Sequence, residues 1–175
     1  LYACYSDQGL SGLSQQYHRY VRQHLIRPEV KNKARPVHYN TWEGIYFKHD
    51  MDTLKDLAER AGKLGAERFV LDDGWFIGRN DDTAALGDWY VDQAFYPDGL
   101  GPLIDHVKAH GLEFGLWFEP EMVNPDSNLF RTHPEWVLSC AGNEQLGFRH
   151  QLVLDLTRPE VFDYLYERLD SLLSE

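Results

Sequence analysis

Apolar positions change their period along the chain, and each change marks an element. Over residues 13–27, Leu13, Tyr17, Tyr20, Val21 and Leu25 recur at helical spacing and Pro28 stops the run, which predicts one linking helix. Its other face carries His18, Arg19, Arg22, His24 and Arg27. That basic stripe is read as a solvated face, or one turned to an acidic neighbour, in preference to a phosphate site. From residue 35 onward, short apolar runs alternate with longer helical segments, the rhythm of a parallel sheet with crossover helices. A first strand is expected over residues 37–42. The helix after it puts Met51, Leu54, Leu57, Ala58, Ala61 and Leu64 on one face, with Gly65 at its C-cap. A second strand is expected over 68–72, a second helix over 102–110 ended by Gly111, and a third strand over 113–118. By composition, residues 150–156 (HQLVLDL) form a fourth strand. Thr157, Pro159 and Glu160 then open a final helix at capping-box spacing, with Val161, Phe162, Leu165, Leu169, Leu172 and Leu173 as its buried stripe.

The polar residues at the ends of these runs give the pattern its chemical interest. Asn40, Trp42 and Glu43 follow the first strand, Asp72 and Asp73 the second, and Trp117, Glu119 and Glu121 the third. Parallel strands bring their C-terminal ends to one mouth, so carboxylates and indoles remote in sequence are expected to face a common pocket. Carboxylates accept strong hydrogen bonds from hydroxyl groups, and an indole face covers the apolar side of a sugar ring. Each residue also has a structural role open to it. Asp72 and Asp73 suit a turn before Gly74, Trp42 and Trp117 suit a core, Glu119 and Glu121 suit ion pairs across Pro120, and Arg149 suits either a ligand hydroxyl or one of these carboxylates. The loop over residues 74–100, rich in Asp, Gly and aromatics, is longer than a bare connection and lies where barrels carry function.

Size and charge narrow the field. At 175 residues the chain holds one domain with a sizeable core but falls short of the roughly 250 residues of a complete (β/α)₈ barrel, so a barrel here is expected to be partial, with neither end a natural terminus. A net charge of -11 speaks against nucleic-acid and anionic-membrane partners. Cys4 and Cys140 stand far apart, in no metal-ligand spacing, and a reducing, cytoplasmic setting is expected. His106 and His110, at i,i+4 spacing on an outer helix with no acidic third ligand nearby, are expected to be a surface pair. No metal or other cofactor is expected, and the sequence contains no HExxH, P-loop or dinucleotide fingerprint, nor a nucleophile elbow around Ser139 and Cys140.

NTWEG at residues 40–44, FVLDDGWF at 69–76, GDW at 87–89 and GLWFEPEMVNPDSNLF at 115–130 together resemble glycoside hydrolase family 36. HPEW at 133–136 and RHQLVLDLTRPEV at 149–161 extend the resemblance over nearly the whole chain. The family includes α-galactosidases, α-N-acetylgalactosaminidases and raffinose-type galactosyltransferases. The resemblance implies an α/β fold: a partial (β/α)₈ TIM barrel of about three β/α units over residues 35–175. Residues 1–34 would be the linker and helix that join it to an absent N-terminal β-sandwich. It implies galactose binding by Asp72 and Asp73, with Trp42, Trp117 and Arg149 lining the same pocket, and terminal α-galactosides of the melibiose and raffinose type as substrates of a homo-oligomeric full-length enzyme. It also implies that no catalytic residue lies in this chain. The nucleophilic Asp of a KWD-type motif and the acid/base Asp that a retaining mechanism needs are expected beyond Glu175, so this piece alone is expected to be inactive. Residues 150–156 move to the connection after the third strand.

Within the family, a galactosyltransferase of the raffinose synthase type stays open beside the hydrolase, and two readings outside it stay open as well. Asp72, Asp73, Glu119 and Glu121 have the oxygen donors of a Mg²⁺ cluster in an enolase-like or aldolase-like barrel. A non-catalytic sugar-binding or assembly module is the second.

Overall fold

The computed structural model describes residues 2–139 and 149–174, so Cys140 lies outside the described residues. The chain divides into two compact units, Leu1–Arg35 and Pro36–Glu175.

In the first unit, helix α1 (Gly9–Tyr20) runs into a π-helical turn (Val21–Leu25) and is followed by the short α2 (Pro28–Lys31). The predicted helix is therefore present but starts earlier and changes its winding at Val21. None of its residues is buried, and Tyr17 and Leu25 are exposed. Tyr2 stacks on Tyr20 with ring centroids 4.0 Å apart. The basic residues of the opposite face are all exposed, as a solvated stripe requires.

The second unit is built on a three-stranded parallel sheet in the order β1 (His38–Asn40), β2 (Arg68–Leu71), β3 (Glu113–Leu116). Asn40 stands beside Val70 and Val70 beside Gly115. Between β1 and β2 come a single helical turn, α3 (Trp42–Ile45), and the crossover helix α4 (Met51–Lys63). Helix α5 (Gly101–Ala109) joins β2 to β3. The Asp50 side chain caps α4 by accepting from the Thr53 amide at 2.8 Å. Leu54, Ala58 and Ala61 of α4 and Leu103 and Val107 of α5 are buried against the sheet, where Phe69 and Leu71 of β2 are fully enclosed. Burying each large side chain stabilises the fold by about 1.5–3 kcal/mol.

The first strand is shorter than its apolar run suggests. Asn40 Oδ1 accepts from the Trp42 amide at 2.8 Å, and this turn ends the strand and starts α3, so Trp42 is helical. The third strand likewise stops at Leu116. Hydrogen bonding nevertheless continues one step past both ends: Thr41 N donates to Val70 O at 3.1 Å and Trp117 N to Leu71 O at 2.8 Å. The residues that follow the strands are thus held in one row.

After β3, β4 (Met122–Val123) pairs antiparallel with β5 (Leu152–Val153). Residues 150–156 stay outside the parallel sheet, which corrects the reading by composition. Between β4 and β5 lie α6 (Asn128–Thr132), started by Ser127, whose hydroxyl accepts from the Phe130 amide, and a 3₁₀ turn (Pro134–Trp136). The final helix α7 (Pro159–Leu173) has Val161 and Leu165 buried, whereas Phe162 and Leu173 are exposed, so its stripe is narrower than expected. The capping box is not formed. Asp155 takes Thr157 through both its amide and its hydroxyl, and Glu160 turns to Arg158 instead.

The loop over residues 74–100 makes core rather than hanging outside it. Trp75, Phe76, Leu86, Trp89, Tyr96 and Leu100 are buried, and Ile77 N to Tyr90 O and Asp92 N to Trp75 O tie its arms together at 2.8 and 3.0 Å. No helix among the described residues is long and apolar enough to cross a membrane. Phe69→Ala, at the centre of the sheet, is expected to lower unfolding free energy by about 3–5 kcal/mol, read as a drop in the urea midpoint.

Candidate functional site

The row of residues beyond the strands opens into a pocket of about 470 Å³, lined by Asn40, Trp42, Glu43, Asp72, Asp73, Trp117, Glu119 and Arg149. The volume suits a small ligand. All five residues that the resemblance assigns to galactose binding, Trp42, Asp72, Asp73, Trp117 and Arg149, meet here, whereas Glu121, also expected at this mouth, does not line the pocket.

Their supports come from the same short motifs. Asn40 Nδ2 donates to Asp72 Oδ2 at 2.5 Å, the Asp72 amide donates to Thr41 Oγ1 at 3.0 Å, and the Asp73 amide donates to Asp72 Oδ1 at 2.8 Å. Asp72 and Asp73 are only 8% and 5% exposed, so both carboxylates need such partners. Trp42 packs edge-on against Tyr46 and Phe47 with centroids 5.1 Å away in each case. Behind Trp117 lies an aromatic stack. Trp75 Nε1 donates to the Trp117 carbonyl at 2.9 Å, and buried Trp89 packs 3.9 Å from the Phe118 ring and 6.1 Å from that of Trp117.

Asp73 is held by a residue that the sequence did not bring forward. Arg79, 1% exposed, donates from Nε and Nη2 to the two Asp73 oxygens at 2.9 and 2.7 Å, a bidentate pair that fixes the carboxylate plane. Its Nη1 donates to Ala84 O at 2.8 Å and Asn124 Oδ1 at 2.9 Å, and its guanidinium lies over the Phe47 and Phe76 rings. Asn124 in turn donates from Nδ2 to the His150 carbonyl at 2.7 Å. Arg149 and His150 both hold positive φ, of 54° and 59°, a conformation that side chains disfavour and that surrounding contacts must impose. Arg79 and Asn124 therefore link the Asp73 wall of the pocket to the Arg149 wall.

Burial, reinforced by the neighbouring Glu121 carboxylate, raises the pKa of Glu119, while Arg149 and a 3.2 Å hydrogen bond from Gln151 Nε2 work against the shift. Below Asp73, the His49 ring lies buried between Tyr96 and the backbone. The Asp73 carbonyl only accepts, so Nε2, 3.0 Å away, carries the proton and Nδ1 accepts from Tyr96 OH at 2.6 Å. That arrangement suits a neutral ring, and burial lowers the His49 pKa accordingly. Gly74 packs on this ring. With φ of 110°, a Cβ built there would come 2.9 Å from His49 Nε2.

The Mg²⁺ reading required Asp72, Asp73, Glu119 and Glu121 to offer oxygens to one ion. Both oxygens of Asp73 face a guanidinium, and both of Asp72 accept N–H bonds. Among the described residues, the His, Cys, Asp and Glu group whose ligand atoms converge is a different one: Glu59, His106 and His110. Glu59 corrects the expectation that no acidic partner stands by the two histidines.

The melibiase family model matches residues 1–175. The chain belongs to the melibiase family. It is 61% identical over 176 aligned positions to the α-galactosidase of Escherichia coli, covering 100% of this chain and 25% of that protein. It is also similar to crystal structures of two family-36 α-galactosidases from Geobacillus stearothermophilus. AgaB superposes with a TM-score of 0.88 at 45% identity over 98% of this chain, and an AgaA variant in complex with raffinose with a TM-score of 0.87 at 44% identity over 98%. The chain spans about a quarter of the length of each. The family resemblance read from the motifs is thereby shown.

For this melibiase chain, Arg79→Met leaves the buried Asp73 carboxylate unpaired. It is expected to cost about 3–5 kcal/mol of stability, seen as a lower urea midpoint, with Asp73→Asn added to it recovering part of the loss. His49 sets a pH dependence of defined sign. Its folded pKa lies below the ordinary value near 6.5, so its contribution is present above about pH 6.5 and is lost as pH falls through the folded pKa. Thermal midpoints below pH 6.5 are expected to fall less steeply in His49→Gln than in the parent, whatever the offset between the two at neutral pH.

Proposed function

We propose that this chain carries the galactose-binding half of the site of a retaining α-galactosidase acting on terminal α-galactosides such as melibiose and raffinose. The single observation that carries the proposal is the convergence of Asp72, Asp73, Trp42, Trp117 and Arg149 on one pocket, in a chain 61% identical to an α-galactosidase. Asp72 and Asp73 are suited to accept hydrogen bonds from sugar hydroxyls, Trp42 and Trp117 to cover the C–H faces of the ring, and Arg149 to donate to a hydroxyl at the rim. Neither Asp72 nor Asp73 suits the role of nucleophile. Asp73 is neutralised by Arg79 and Asp72 is tied by Asn40 and its neighbour's amide, which favours a fixed acceptor over an attacking oxygen. We assign the nucleophile and the acid/base to the part of the relatives that this chain does not match. The raffinose complex of a family-36 enzyme supports a raffinose-type substrate.

We further read the second unit as the first three β/α units of a (β/α)₈ barrel, and residues 1–34 as the segment that precedes it. Three parallel strands in sequential order, with α4 and α5 as crossovers, support that assignment.

The protein with its flanking sequence is expected to hydrolyse p-nitrophenyl α-galactoside, melibiose and raffinose. Asp72→Ala or Asp73→Ala is expected to lower kcat/KM by about 100-fold or more, as the loss of charge-assisted hydrogen bonds totalling roughly 3 kcal/mol implies. Wild-type turnover of α-galactosides unaffected by either substitution would refute the assignment.

A further inference from the structure

The outer faces of the two crossover helices hold a group of side chains that the sugar pocket does not use. Glu59 of α4 faces His106 and His110 of α5. Its Oε1 lies 3.8 Å from His106 Nε2 and 3.9 Å from His110 Nε2, and the ligand atoms of the three residues all lie within 4.8 Å of one another. The histidines are one turn apart, their rings side by side with centroids separated by 4.4 Å.

The hydrogen bonding of His110 points to the kind of group that belongs between them. His110 Nδ1 lies 2.8 Å from the His106 carbonyl, which only accepts, so Nδ1 carries the proton. In the neutral ring, Nε2 then presents its lone pair toward the Glu59 carboxylate. A lone pair and a carboxylate oxygen facing each other repel, and a cation between them turns that repulsion into attraction. The same bond from Nδ1 to a main-chain carbonyl is the support that orients a metal-binding imidazole.

We propose that Glu59, His106 and His110 bind one borderline divalent transition-metal ion, with Zn²⁺ the expected occupant. Zinc takes imidazole nitrogen and carboxylate oxygen at about 2.0–2.2 Å, which sets tetrahedral ligand atoms about 3.4 Å apart. The observed separations of 3.8 and 3.9 Å close to that distance by rotations of partly exposed side chains, in which His106 Nε2 exchanges its 3.2 Å contact with the Lys55 carbonyl for the ion. Water completes the coordination. Two imidazoles exclude Mg²⁺ and Ca²⁺, which demand oxygen ligands. The net charge of -11 further raises the local concentration of cations.

The site does not depend on the sugar pocket. His110 is the C-cap of α5, and the chain leads from it through Gly111 into the start of β3, whereas the pocket lies past the ends of the strands. A bound ion cross-links α4 to α5, the two helices that flank β2. Because the unfolded chain does not hold the three ligands together, binding is expected to stabilise the fold.

The test is calorimetric titration of ZnCl₂ into metal-stripped protein near neutral pH, with thermal unfolding alongside. The wild type is expected to take up one more equivalent of zinc than the His106→Gln/His110→Gln variant, and its melting temperature to rise with zinc while the variant's does not. Glu59→Gln is expected to bind at least tenfold more weakly. His133→Ala, which changes a half-buried histidine paired with Glu135 and remote from the three ligands in sequence, is expected to match the wild type in zinc uptake. MgCl₂ in place of ZnCl₂ is expected to give no heat of binding and no shift. Absence of saturable zinc binding by the wild type, or an equal stoichiometry in the double variant, would overturn the proposal.

Discussion

The bidentate pair between Arg79 and Asp73 is the interaction on which the pocket depends. A carboxylate at the end of a buried strand is costly to desolvate, and a fully buried guanidinium with every nitrogen bonded is the group that offsets that cost while also fixing orientation. The arginine is itself held by Asn124, whose other amide atom reaches the His150 carbonyl. Asp73, Arg79, Asn124 and the 149–150 backbone thus form one continuous polar chain through an otherwise aromatic interior. The order of the site is the order of that chain, and the rest of the loop over residues 74–100 exists largely to bury it.

The two adjacent acids consequently have different characters. Asp73 sits against a full positive charge. Asp72 is held by neutral groups only, an amide side chain and a backbone N–H. The first is a screened, rigid acceptor and the second keeps its full charge for whatever approaches. His49 and Gly74 complete the arrangement from below, where the lack of a side chain at Gly74 leaves room for a ring that would otherwise collide with it.

Much of this was legible in the sequence because it depends on local periodicity. Alternation and run length located the three strands and the crossover helices, and parallel topology alone then predicted that residues 42, 72, 73 and 117 share a mouth. What the sequence concealed depends on partners remote along the chain. Arg79 lies in a polar stretch that reads as an ordinary turn, and its partner Asn124 is 45 residues on. Glu59 reads as a solvent-facing helix residue, since its meeting with His106 and His110 arises only when α4 packs beside α5. Competing local bonds account for the misplaced boundaries: Asn40 ends β1 early, and Asp155 captures Thr157 before it can cap α7. The Asn-Thr-Trp order after an apolar run was a usable signal for the first of these.

The wall of the pocket described earlier carries Glu43, Asp72, Asp73 and Glu119 against Arg149, with Arg79 compensating one acid from behind. Four carboxylates and two guanidinium groups leave a surplus of negative potential at this wall. Such a wall acts as a filter on its visitors: it admits neutral and cationic ligands more readily than anionic ones, whatever contacts follow.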